Sequence, residues 1–216
     1  MIKSLHRRFR DAPIHRCGGE IGHMKKDVKN EIIDATLRLI EEKGSDIDSI
    51  TVRDICASAG VASALVNYHF QTKENLIAQC VQKLIGDVIA SFEPIYRALD
   101  GRQPEEKLRI MMKSTCAYLA THENISRISM LTDFTHHNPN DNTAQTAVAY
   151  YPLMRAACPE RMTDDEVKRR TYLMILAIQG AFLRSTLLTS EIGVDFHDKE
   201  QREALVDSVL DFYLSM

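Results

Sequence analysis

Residues 49–76 read SITVRDICASAGVASALVNYHFQTKENL, and their spacing decides the fold. Thr51 is placed as an N-cap, its hydroxyl able to accept from an orphan amide two or three residues on. Val52, Ile55, Cys56 and Ala59 recur at helical spacing and mark one apolar face. The helix must stop at Gly60, since glycine enters the left-handed region without a Cβ penalty. A second short helix after Val61 is expected to turn Leu65 and Val66 inward and Ser63, Ala64, Asn67 and Tyr68 outward. Phe70 closes the pair, and Thr72 caps a third helix that begins at Lys73. Two short helices about a glycine turn, the second presenting small polar residues, make a helix-turn-helix. In that motif the second helix enters the major groove of DNA.

The segment resembles the DNA-binding region of the TetR family of bacterial transcriptional regulators. The matching pieces are ITVRDI (50–55), AGV (59–61) and YHF-x-TKE-x-L (68–76), together with a preceding helix that ends at Lys43-Gly44. The resemblance covers Asp27 to Leu76, about fifty residues, a normal size for a small module. Beyond it the chain matches only in length and helical character. Three positions depart from the family pattern. Ala62 stands where a capping hydroxyl or Asn is usual, at a cost of about 1 kcal/mol unless Ser63 takes the role. Asn67 replaces a frequent aromatic, which puts an amide where it could bond adenine N6 and N7. His69 replaces a second aromatic. By family position, Thr51, Tyr68, His69 and Lys73 are assigned to phosphates and Arg53 to the DNA surface. Ser63 and Asn67, with Ala64 as an apolar contact, are assigned to bases.

The chain has 216 residues, 44% apolar and 26% charged, with a net charge of −3, so no overall basic field advertises nucleic acid. Residues 1–73 carry 12 Lys/Arg against 10 Asp/Glu and the remainder 15 against 20, the asymmetry of a DNA head on a more acidic body. Five scattered cysteines without a Cys-x-x-Cys suit a reducing cytoplasm, and no membrane span or secretory signal is read. The sequon at Asn124 is therefore expected to carry no glycan. Residues 1–24 hold Lys3, Arg7, Arg8, Arg10 and Arg16 among glycines. They are read either as a minor-groove arm or as a flexible leader with Met24 as the working start.

Outward from the head, helical periodicity predicts Asp27–Lys43, then Lys73 to Phe92 ended by Pro94, then Glu105–His122 and Asn124–Thr135. After a loop at 136–143, a helix towards Cys158 is expected to bend at Pro152. Thr163 and Glu166 form a capping box opening a long helix to Thr189, apolar on almost every side from Tyr172 to Leu188. Asp198–Leu214 is the last helix. The domains are expected at 25–73 (DNA-binding) and 74–216 (effector-binding and dimerisation). The fold class is all-α. The helix beginning at Lys73 is the one element able to touch both domains.

No catalytic constellation is found. His122-Glu123 lacks the second histidine of a zinc-protease motif, because position 126 is Ser. Asp133, His136 and His137 offer at most a weak metal corner, and no metal, cofactor or enzymatic activity is expected. The family resemblance implies a cavity in the body, for which Phe92, Met111, Cys116, Met130, Phe134, Tyr151 and Met174 are candidates, methionine surfaces being adaptable. It also implies dimerisation through the last two long helices. Leu176, Gly180, Leu183, Leu187, Leu205, Val209 and Phe212 are the candidate interface, Gly180 permitting close helix approach. The expected protein is a cytoplasmic homodimeric repressor, bound to palindromic double-stranded DNA and released by a small apolar or amphipathic effector. A regulator read by a protein partner, or lacking an inducer, and a helical enzyme with a vestigial head remain as alternatives.

Overall fold

The computed structural model describes residues 27–44, 46–135, 139 and 141–215, and in them every regular element is helical. The basic segment 1–24 and the His136–His137 pair lie outside the described residues. α1 (Val28–Lys43) begins where the Asp27 carboxylate accepts the Asn30 N–H, and it buries Ile32, Ile33, Ala35, Thr36, Leu39 and Ile40. A 3-10 turn (Ile47–Ser49) leads to α2 (Val52–Ala59), α3 (Ser63–Phe70) and α4 (Lys73–Ala98). The body follows as α5 (Pro104–Thr121), α6 (Glu123–Thr135), α7 (Asn142–Ala157), α8 (Asp164–Leu183), α9 (Ser185–Ile192) and α10 (Lys199–Ser215). Pro152 lies inside α7.

Two apolar cores organise these helices. The head core joins Ile32, Ile40, Ile50, Ile55, Val66 and Phe70 to Leu76, Ile77, Cys80 and Leu84 of α4, and to Ile125 and Ile128 of α6. The body core gathers Leu108, Met112, Cys116, Met154, Val167, Ile178, Phe182, Phe196, Val206 and Leu210, with Phe92 and Ile95 of α4 packed against it. The expected domain boundary at 73/74 is thus no packing boundary. α4 spends its first half in the head core and its second half against the body.

Two helix ends differ from the sequence expectation. α4 does not stop at Pro94 but runs through it to Ala98. Proline inside a helix removes one hydrogen bond and crowds the preceding turn, costing about 3 kcal/mol. Here Ile95 and the buried Leu99 pack onto the body, and that burial holds the last turn. The long helix expected to reach Thr189 instead breaks at Arg184, and α8 and α9 meet at 90°. A straight continuation would carry Leu188 off the body, whereas the bend returns Ser185 and Leu188 to buried positions. Among the described residues no single helix is long and apolar enough to cross a membrane.

Polar clamps tie the body helices together. Arg109 on α5 donates to Glu105, Asp207 and Asp211, and Lys113 Nζ lies 2.7 Å from Asp207, which binds α5 to α10. Gln179 Nε2 on α8 donates to the buried Thr143 hydroxyl at 3.0 Å. That hydroxyl in turn donates to Asp133 at 2.7 Å. Asp133, read from sequence as part of a possible metal corner, instead receives the Thr143 N–H and hydroxyl at the start of α7.

Candidate functional site

The turn between α2 and α3 is built as its residues dictate. Thr51 and Asp54 form a full capping box, and Gly60 takes the left-handed conformation at φ 66° and ψ 34°. Lys43 Nζ donates to Asp54 at 2.9 Å, joining the end of α1 to the start of α2. This ammonium, with the Thr51 N–H and hydroxyl, holds the Asp54 carboxyl well below the usual carboxylate range. The Thr51 hydroxyl proton is therefore directed at Asp54 at 2.9 Å, not at an incoming phosphate. No side chain caps α3: its N-cap is Ala62, and Ser63 is its first helical residue, so Ser63 does not take over the cap.

On α3, Val66 and Phe70 are buried and point the helix at the head core, while Ser63, Ala64 and Asn67 are exposed. Tyr68 is 79% exposed and meets His69 edge-on at 5.1 Å between ring centroids. His69 is half-buried, and Arg53 on α2 is exposed. Leu65 departs from expectation. It is 39% exposed and is absent from the residues packed on the head core. In an eight-residue helix the alternation of apolar letters did not separate Leu65 from Val66; the packing of α3 into the head core does.

Lys73 also departs. Its ammonium donates to the backbone carbonyls of Ile47 at 2.9 Å and Ile50 at 3.3 Å, with Asp48 at 3.6 Å. Ile47 opens the 3-10 turn, its carbonyl also accepting the Ile50 N–H at 3.1 Å, and Ile50 closes it. Lys73 therefore fastens that turn to α4, and its charge is engaged inside the head instead of free for a phosphate.

Of the candidate pocket residues, Met111, Cys116, Met130 and Met174 are buried in the body core, with Phe92 and Tyr151 packed against it. Burial pushes the Cys116 thiol up to about 12. Phe134 does not join them, being 56% exposed at the end of α6. Tyr150 fills this core too, its hydroxyl donating to the Met111 carbonyl at 3.0 Å. A groove of about 380 Å³ lies elsewhere, at the junction of head and body, where Leu37, Glu41, Leu84, Asp87, Tyr118, His122 and Ile125 line it. Tyr118 and His122 stack there at 4.0 Å.

Among the candidate interface residues, Leu176, Gly180, Leu183, Leu205 and Val209 are half-buried, and Leu187 and Phe212 are exposed. Tyr172 and Leu173 on α8 are exposed as well. Nothing lies within 4 Å of where a Cβ on Gly180 would stand, so no helix of the same chain uses the expected close approach.

A helix-turn-helix with an outward second helix, seated on a long helix shared with an all-helical body, defines a DNA-binding transcriptional regulator. Residues 32–80 match the family model described as bacterial regulatory proteins, tetR family. It is 24% identical over 191 residues to the HTH-type transcriptional regulator BetI of Agrobacterium fabrum, covering 86% of this chain and 87% of that protein. It is 27% identical over 114 residues to the HTH-type transcriptional repressor KstR2 of Rhodococcus jostii, 52% of each. The fold is shared with the transcriptional regulator FadR of Bacillus subtilis in complex with stearoyl-CoA, at a TM-score of 0.56 and 20% identity, covering 86% of this chain and 97% of that one. These proteins are regulators, not enzymes.

Proposed function

We propose that the protein is a dimeric repressor that places one α3 in the major groove at each half of a palindromic operator and leaves it when an apolar or amphipathic effector binds the body. One observation carries the reading: α3 presents an open face, Ser63 to Tyr68, while α4 beneath it belongs to both cores. Anything that repacks the body against the second half of α4 acts on the seat of α3. Such an effector works only through a difference in affinity between the two spacings of the heads, and the coupling is reciprocal. Small displacements suffice, because the two recognition helices must sit about 34 Å apart, one turn of the duplex. The methionines of the body core are the adaptable residues an entering apolar tail would displace. The stearoyl-CoA held by a protein of the same fold supports a ligand with such a tail, and the repressor among the relatives supports the sign of regulation.

Selection from a random duplex pool, followed by footprinting with and without a saturated fatty acid or its acyl thioester, tests the proposal. A protected palindrome whose occupancy falls with the ligand is the expected result. An asymmetric footprint overturns the dimeric reading. An affinity unmoved by apolar ligands, including those in a broad cellular extract, overturns the effector.

A further inference from the structure

The outward face of α3 has an unusual chemistry for a helix in a DNA groove. Of its eight residues, SALVNYHF, none is Lys or Arg, so the commonest contact to guanine, a cation on O6 and N7, has no donor on this helix. What the face offers instead is Ala64, Leu65 and Tyr68 on one side and the Asn67 amide beside them, all exposed. Leu65 is the informative member. At 39% exposure it stands outside the head core, although its neighbour Val66 is 3% exposed within it. One helical step, about 100°, separates them, and the residue three positions after Leu65 on the same face is the open Tyr68. An apolar branched side chain on the outer face of the helix gains most from an apolar partner there. In the major groove the one apolar group on a base edge is the 5-methyl of thymine.

The geometry points to Leu65 as a reader of thymine: its isobutyl group covers the 5-methyl of one thymine in each half-site. With Asn67 on adenine, this gives the stretch under α3 a preference for A·T pairs. The inference rests on the proposal that α3 enters the major groove, and the experiment separates the two. The full chain selects its duplex from a random pool, and each thymine of that duplex is then replaced singly by deoxyuridine, which deletes only the methyl. Binding is expected to weaken about three- to fivefold at one thymine per half-site, the effect of returning one methyl group to water. Leu65→Ala is expected to bind the thymine duplex with a similar loss and to ignore the deoxyuridine at that position, the two changes being non-additive because they touch. Leu65→Met, which keeps an apolar tip, is expected to stay sensitive. Because Leu65 is part-exposed and stands outside the head core, the variants are expected to stay folded, with melts close to the parent's. A selected duplex that tolerates deoxyuridine everywhere, or a Leu65→Ala variant as sensitive as the parent, overturns the assignment while leaving α3 in the groove. Failure to select any duplex overturns both.

Discussion

Lys73 and Gln71 show how much of this head is decided by single side chains and single torsions. Lys73 gives its ammonium to two carbonyls of the 3-10 turn. Lys73→Ala should therefore lower stability by about 1–3 kcal/mol, the range for hydrogen bonds from a charged group. The salt dependence of DNA binding should change by less than the one phosphate contact that its family position implies. Urea titration together with binding across a salt series checks both halves; a full unit lost from the salt slope at unchanged stability would return Lys73 to the phosphate class. Gln71 joins α3 to α4 through a γ-turn, with φ at 65° and the Thr72 N–H on the Phe70 carbonyl at 2.7 Å. That conformation is rare and strained for a residue with a Cβ. Gln71→Gly is expected to raise stability by about 1 kcal/mol, the relieved strain exceeding the added chain entropy. A lower melting temperature would contradict it.

Among the elements, α2 depends on the charge of one exposed carboxylate. Asp54 is held below its ordinary range by Lys43 and Thr51, so its folded value lies under its unfolded one. The stability it contributes is present above the unfolded value and is lost as pH falls through the folded one. Asp54→Asn should make the protein less stable at neutral pH and should flatten the acid limb of its stability profile. Thermal melts from pH 7 downward check this; parallel profiles for parent and variant would contradict it. The Thr51 cap was legible in the sequence, as were Gly60, Thr72 and the Thr163–Glu166 box, because each is closed by residues within three or four positions of one another; the return bond from Asp54 was not read there. What was not legible depends on partners far along the chain. Pro94 stays helical because Ile95 and Leu99 find the body, α8 breaks because Leu188 must return to it, and Leu65 faces out because the head core takes Val66 and Phe70 of α3. The fold class and the helix-turn-helix could thus be read from local signals. The fate of Lys73 could not, since its acceptors lie 26 and 23 residues upstream.

In the whole molecule, Tyr172 and Leu173 of α8, Leu187 of α9 and Phe212 of α10 are large apolar residues left exposed in the single chain. An exposed patch of this kind marks an association surface, and a two-fold assembly would match a palindrome. Charging it with the double variant Leu173→Glu and Phe212→Glu should yield monomers of unchanged helicity that bind a palindromic duplex far more weakly. Sedimentation and circular dichroism measure the two outcomes, and a variant that remains dimeric would move the interface elsewhere.

Ile125 and Ile128 belong by chain position to the body, yet they are buried in the head core. Glu41 on α1 meets the same stretch, its backbone carbonyl accepting from Asn124. The head is consequently not an interchangeable cartridge. Grafted onto another regulator's body, it would arrive with a cleft where two isoleucines had stood, unless the recipient helix supplied side chains of matching volume. A chimaera that keeps this operator preference must carry residues 125 and 128 along with 27–98. Within α3, new preferences can arise freely on the outer face, since the inner face packs into a core that two domains must keep in common.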